Sequence, residues 1–263
     1  MSLYWVYDLP NWMFCLLSMA TFLSFGLAGL FGTRRWVRKV HERDHSHNDI
    51  VGYYLAAVTV FYGITLGLVA VGTWNTYSEV AGKVDREAQV VASLYRDVAR
   101  YPEPMRTALI GDLRSYLRQV IDVSWPQQRK GIVPVGSGPF LDRFQDDLLA
   151  FEPVTPGQQI LHAEAYKQFN FLIEARRSRL DSVTASIPSS LWITVIVGAL
   201  VSITVTLFFD TASFKMHVWM TALMSGLLGL MIFLVATLDN PFRGKVSVGP
   251  QPLEHIYQLI KDK

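Results

Sequence analysis

The stretch "VGYYLAAVTVFYGITLGLVAVGTW", Val51 to Trp74, contains no Asp, Glu, Lys or Arg. A bilayer core needs roughly 20 consecutive apolar residues, so the stretch predicts a membrane-spanning helix. No cluster of Pro and Gly closes it. "NTYSEVAGKVDREAQVVASLYRDV", residues 75–98, follows at once, and there Tyr77, Ala81, Val84, Ala88, Val91, Tyr95 and Val98 recur at alternating spacings of 4 and 3. That is the stripe of an amphipathic helix close to the coiled-coil period. The expectation is one unbroken helix that leaves the membrane and continues as a stalk, on the order of 70 Å long at 1.5 Å per residue.

Three further apolar runs have the same character: about Trp12–Phe31, Ile187–Phe209 and Val218–Leu238. Hydrophobic residues make up 51% of the 263-residue chain and charged ones 17%, and these runs hold much of the apolar share. No basic residue precedes the first run, which is also long for a signal-peptide core, so it reads as a retained span. A net charge of +2 gives no reason to expect a nucleic-acid partner, and the single cysteine, Cys15, allows no intrachain disulfide. The chain therefore divides into a first hairpin of spans (1–74), a polar section (75–186), a second hairpin (187–238) and a juxtamembrane tail (239–263). The fold class is an all-α integral membrane protein with four transmembrane helices and an interposed helical domain between the second and third.

The polar section balances its acidic and basic residues and reads as helical. "YPEP" ends the stalk, and Pro104 suits the first turn of a new helix carrying Leu109, Leu113, Tyr116, Val120 and Val123 on one face. "SWPQQRKGIVPVGSGP" reads as a loop. A short helix over Phe140–Phe151 follows. A last long helix carries Leu161, Ala165, Phe169, Leu172, Leu180 and Val183, and Pro188 starts or kinks the third span.

Between the first two spans lies "GTRRWVRKVHERDHSHND", rich in Arg and Lys. The positive-inside rule puts this loop in the cytoplasm. Four spans then place the polar domain outside it. "RRSR", Arg176–Arg179, weighs against that assignment but belongs to a long domain, which the rule weights less.

Candidate sites follow from residue type and spacing. His41, His45 and His47 have ligand chemistry for a transition metal. Their spacing matches no established metal site, and the plainer reading is a solvated loop whose Asn48 or Asp49 caps the second span. Small residues line the spans: Gly63 and Gly67 on the second, Thr194, Gly198 and Ser202 on the third, Ser225 and Gly229 on the fourth. Such stripes let helices approach closely in lipid, and the hydroxyls of Thr194 and Ser202 would also suit an aqueous path. No span carries an ionisable residue near its middle, which argues against a proton-coupled carrier. It leaves room for a pore with a dewetting apolar constriction, for which Val58, Phe61, Leu66 and Val69 are candidates. Arg176, Arg177 and Arg179 would concentrate anions at a mouth. No P-loop, G-x-S-x-G or H-E-x-x-H motif is present, so nothing points to an enzyme or a cofactor.

Asn48-Asp49 and the run to Trp74, "VDREAQVVASLYR", "YPEP", Trp125-Pro126, Arg176–Leu180, Leu191-Trp192 and "LDNPFRGKVSV", with Asp239, Pro241, Phe242 and Gly244, occur in an order that resembles the bacterial bestrophin-like family, over roughly residues 40 to 250. One position departs from the family's habit: Ser124 stands where an acidic residue usually precedes the Trp-Pro. The resemblance implies kinship with bestrophins, which are pentameric anion channels with a hydrophobic neck on the second span. It also implies a cytoplasmic helical region, opposite to the charge-based topology. Pro241 should stop the fourth span, and Asp239 is expected to pair with Arg176, Arg177 or Arg179. The combined expectation is a homo-oligomeric passive ion channel in the bacterial inner membrane, taking a small anion, with the lipid bilayer as its surroundings. A membrane sensor or scaffold using the helical domain is the alternative.

Overall fold

The computed structural model describes residues 4–41, 46–134, 138–211 and 213–261. Among them every regular element is helical. A short 3₁₀ turn, Tyr4–Asp8, precedes α1 (Asn11–His41) and α2 (His47–Val98). Next come α3 (Met105–Gln119), a wide π turn (Val120–Ser124), α4 (Trp125–Arg129), α5 (Gly138–Ala150) and α6 (Pro156–Asp181). After a 3₁₀ turn, Ser182–Thr184, the chain continues as α7 (Ser189–Thr206), α8 (Phe214–Asp239) and α9 (Gln251–Lys261). Apolar stretches long enough to cross a membrane lie in α1, in α2, in the stretch ending with α7, and in α8.

α2 is one helix of 52 residues, about 78 Å long at 1.5 Å per residue, as its unbroken pattern predicts. α6 starts where Thr155 and Gln158 form a reciprocal capping box, with Pro156 in the first turn. Pro188 is extended and α7 begins directly after it, so this proline starts the span rather than kinking it. The structure departs from the sequence pattern in two places. The first half of the supposed loop at Ser124–Pro139 is helical: Pro126 sits in the first turn of α4, where its missing N–H costs nothing. The tail forms α9, with Leu253 and Ile260 fully buried; Leu253, Ile256, Tyr257 and Ile260 carry a helical spacing that the short segment hid.

The chain forms two compact units. The membrane unit comprises residues 1–75, 186–239 and 244–246. Its core joins Phe22 of α1, Tyr62, Leu66 and Val69 of α2, Val195, Ala199 and Ile203 of α7, and Leu228, Ile232 and Val235 of α8. Close approach depends on small residues. A Cβ at Gly198 would collide with the Tyr62 ring, whose hydroxyl donates to the Val195 carbonyl at 3.1 Å. One at Gly229 would sit 2.7 Å from Met19 Cα, and Ser18 Oγ donates to the Gly229 carbonyl at 2.7 Å. Ser225 is buried against Gly26.

The polar unit comprises residues 76–185, 240–243 and 247–263. Its core gathers Val84, Val91, Leu94 and Val98 of α2, Leu113, Tyr116 and Leu117 of α3, Phe144 of α5, Phe169 and Leu172 of α6 and Leu253 of α9. The Phe144 and Phe169 rings stack at 5.3 Å.

Candidate functional site

In the membrane unit the two faces of α2 have opposite fates. Tyr62, Leu66 and Val69 turn inward, and the last two are only 7% and 8% exposed. Phe61, Ile64, Leu68 and Val71 turn outward, with Phe61 at 74% and Leu68 at 70%. Their spacings of 3, 4 and 3 make one continuous stripe on a helix. Of the neck candidates, Leu66 and Val69 are therefore largely buried in the core shared with α7 and α8, and Leu66 also borders an apolar groove. Val58 is half-buried beside the stripe, and Phe61 lies on it. Ile64 and Leu68 join the candidates only here. Their periodicity with Phe61 is legible in the sequence, but the face that neighbouring helices cover is not.

A Cβ at Gly63 or Gly67 would meet nothing within 4 Å, unlike one at Gly198 or Gly229. Gly63 and Gly67 form part of an apolar groove of about 360 Å³, lined also by Leu66, Met224 and Met231. The two hydroxyl candidates differ in exposure. Thr194 is exposed, but its Oγ1 donates to the Ser190 carbonyl at 3.0 Å. Ser202 is fully buried and donates to the Gly198 carbonyl at 2.8 Å. Each hydroxyl donates its proton to its own helix.

Where α1, α2, α7 and α8 turn, His47 Nε2 lies 2.8 Å from the Phe208 carbonyl, and Asn48 bonds both backbone groups of Asp210, at 2.7 and 3.0 Å. Asn48 therefore clasps the α7–α8 turn instead of acting only as a cap. Asp49 is exposed in the first turn of α2. His45 lies outside the described residues, as does the side chain of His41. Among the described residues no three His, Cys, Asp or Glu side chains are grouped so as to hold a metal ion.

At the other end of this unit, Asp239 is buried and accepts from Ile187 N at 2.6 Å and from Trp192 Nε1 at 3.0 Å. It ties the end of α8 to the start of α7.

In the polar unit, Arg179 is 1% exposed and Glu87 is 0% exposed. Arg179 Nε donates to Glu87 Oε2 at 2.5 Å, its Nη2 to Oε1 at 3.2 Å, and its Nη1 to Gln128 Oε1 at 2.7 Å. The Tyr116 hydroxyl also donates to Glu87. Burial pulls the Arg179 pKa down, but the Glu87 carboxylate outweighs it and the net direction is up. Burial, reinforced by Glu87, pushes the Tyr116 phenol far up as well. Arg179 is thus neither a free anion attractor nor a free partner for Asp239, because each of its three guanidinium nitrogens already bonds Glu87 or Gln128. Arg177 is exposed and Arg176 half-buried.

Distant motif residues meet in the same unit. The Trp125 and Phe242 rings pack edge to face at 5.7 Å, both nearly inaccessible, and Pro241 is buried beside them in sequence. Pro126 is exposed in the first turn of α4. Arg243 donates to the Lys130 carbonyl at 2.8 Å and fills the space over Gly131, whose φ is +73°. Ser124 is buried, and its hydroxyl has no partner among the described residues. In the membrane unit, Gly244 adopts φ +81° beside Tyr7, a conformation that favours glycine.

A family model described as a bestrophin-like domain matches residues 20–253. Solved structures of a bacterial bestrophin homolog from Klebsiella pneumoniae share the fold. One, phased on zinc, superposes with a TM-score of 0.70 at 12% identity, covering 94% of this chain and 97% of that one. Point mutants of that homolog give TM-scores of 0.71 at 12% identity, with the same coverages, and 0.69 at 11%, covering 94% and 98%. No curated protein matches the chain. The family match and the four apolar helices together make this a multi-pass membrane protein.

Proposed function

The chain belongs to the bestrophin-like family, and on that premise we propose that it is one subunit of an oligomeric passive ion channel whose pore is lined by the outward face of α2. The observation that carries the reading is the stripe of Phe61, Ile64, Leu68 and Val71, exposed on a helix whose other face is buried. Copies of α2 arranged around an axis would turn such a stripe into apolar rings. A narrow apolar ring gates by dewetting and needs no charged residue in the membrane. Phe61, the bulkiest member, is the expected constriction. The bare backbone at Gly63 and Gly67 gives a neighbouring copy room to approach.

A small anion is the expected ion, drawn by Arg176 and Arg177. Arg179 has no part in that role. The bacterial inner membrane and an extracytoplasmic polar domain belong to the same proposal, supported by the basic residues between the first two spans.

The test is chloride flux from liposomes holding the purified protein, with Phe61→Ala beside the wild type. The expected result is severalfold greater flux, or altered selectivity, in the variant. No flux from either protein, with the oligomer intact, overturns the channel and leaves a membrane sensor or scaffold as the function.

A further inference from the structure

In the polar unit, Lys83, Arg106, Arg118, Arg143, Lys167 and Arg179 each lie within 4 Å of a carboxylate. In the membrane unit, where α1 ends and α8 begins, Arg34, Arg35, Lys39 and Lys215 are all exposed, and none has a carboxylate partner among the described residues. This end also carries Arg38, against the acidic side chains of Asp49 and Asp210, so its described residues are net positive. The opposite end of the unit differs: its described charged residues include Asp8 and Asp239, and Lys245 is basic.

The basic end is built rather than diffuse. The Arg34 guanidinium lies over the Phe214 ring, 3.9 Å from its centroid. Phe31 meets the same ring edge to face at 5.5 Å. Stacking fixes the guanidinium while leaving its N–H edge unspent. Lys215 follows Phe214 in the first turn of α8 and is exposed, so a second cation stands at the same end of the unit. One turn along each helix, away from the charged end, stand the exposed rings of Phe31 and Trp219. Two cations with aromatic side chains one turn deeper match the layering of a membrane interface, where phosphate lies above glycerol and the first methylenes.

We propose that this edge is a binding site for an anionic phospholipid. The phosphate lies between Arg34 and Lys215, and the upper part of the lipid lies against Phe31 and Trp219. Free inorganic phosphate shares the first half of that chemistry but leaves the two exposed rings uncovered, so the lipid is the occupant.

The test is lipid retention by the purified full chain, read by native mass spectrometry after addition of phosphatidylglycerol, phosphatidylcholine or inorganic phosphate. The wild type is expected to keep phosphatidylglycerol in preference to phosphatidylcholine and to show no bound inorganic phosphate. Removing both cations, Arg34→Gln with Lys215→Gln, is expected to weaken that retention about 30-fold, from roughly fivefold per basic side chain at an anionic surface. The charge-keeping exchange Arg34→Lys with Lys215→Arg is expected to retain most of the binding, which guards against a folding defect in the neutral variant. Equal retention of the two lipids by the wild type, unchanged retention in the neutral variant, or saturation by inorganic phosphate alone would overturn the site. The readout does not depend on flux, so it stands or falls separately from the channel.

Discussion

Ser202, buried in the membrane unit, bonds to the carbonyl four residues back on its own helix. Glu87, buried in the polar unit, is bonded by Tyr116 of α3 and by Arg179 of α6, and Arg179 reaches on to Gln128 of α4. The difference follows from the solvent of each unit. In lipid the backbone must be satisfied within the helix, and the hydroxyls of Ser202, Ser18 and Tyr62 all end on backbone carbonyls, of the same helix or of a neighbour. A helical domain outside the bilayer can draw partners from four helices, and a hydrogen-bonded buried charge pair then holds those helices in one arrangement. The membrane unit is packed through small residues, whereas the polar unit combines an apolar core with a charge network.

The largest expected effect comes from breaking that network. Glu87→Gln leaves the Arg179 charge buried without a counter-charge and should cost about 3–5 kcal/mol. Thermal unfolding in detergent measures it. Replacing the pair together, Glu87→Leu with Arg179→Met, should restore much of the loss; if the double variant is as unstable as the single one, the charges are not the reason for the cost. In the membrane unit the matching disruption is steric. Gly198→Ala drives a methyl group into the Tyr62 ring and should cost about 1–3 kcal/mol. Gly63→Ala meets open space and should leave the isolated subunit unharmed. A variant at Gly63 that melts normally but no longer elutes as an oligomer would sharpen the comparison, assigning the α2 glycines to contact between copies. The smallest effect belongs to the polar unit's α6 cap. Thr155→Ala removes the capping-box acceptor for Gln158 N and should lower stability by about 1 kcal/mol.

Much of this architecture is legible residue by residue. The uncharged run from Val51 to Trp74 and the alternation that follows it specify α2 over its whole length, because helical periodicity is a local property. Thr155, Pro156 and Gln158 mark the start of α6 for the same reason. α9 escapes such a reading because eleven residues beyond a Pro-Gly-rich bend carry too few turns to reveal their period.

The candidate site is only half legible. Phe61 and Leu66 are equally apolar and five residues apart, so composition treats them alike. Burial separates them, and burial depends on where α7 and α8 lie. Arg176, Arg177 and Arg179 form one basic cluster in the sequence, yet Arg179 is spent on Glu87, ninety-two positions away. Trp125 and Phe242 look like separate motifs until their rings meet. The helices, their apolar lengths and the division into membrane and polar sections are written in the order of residues, since all follow from local pattern and from the bilayer's demand for apolar length. Which face of α2 stays open, which arginine is consumed and which basic residues lack a carboxylate emerge with the packed fold, because each depends on side chains brought together from distant parts of the chain.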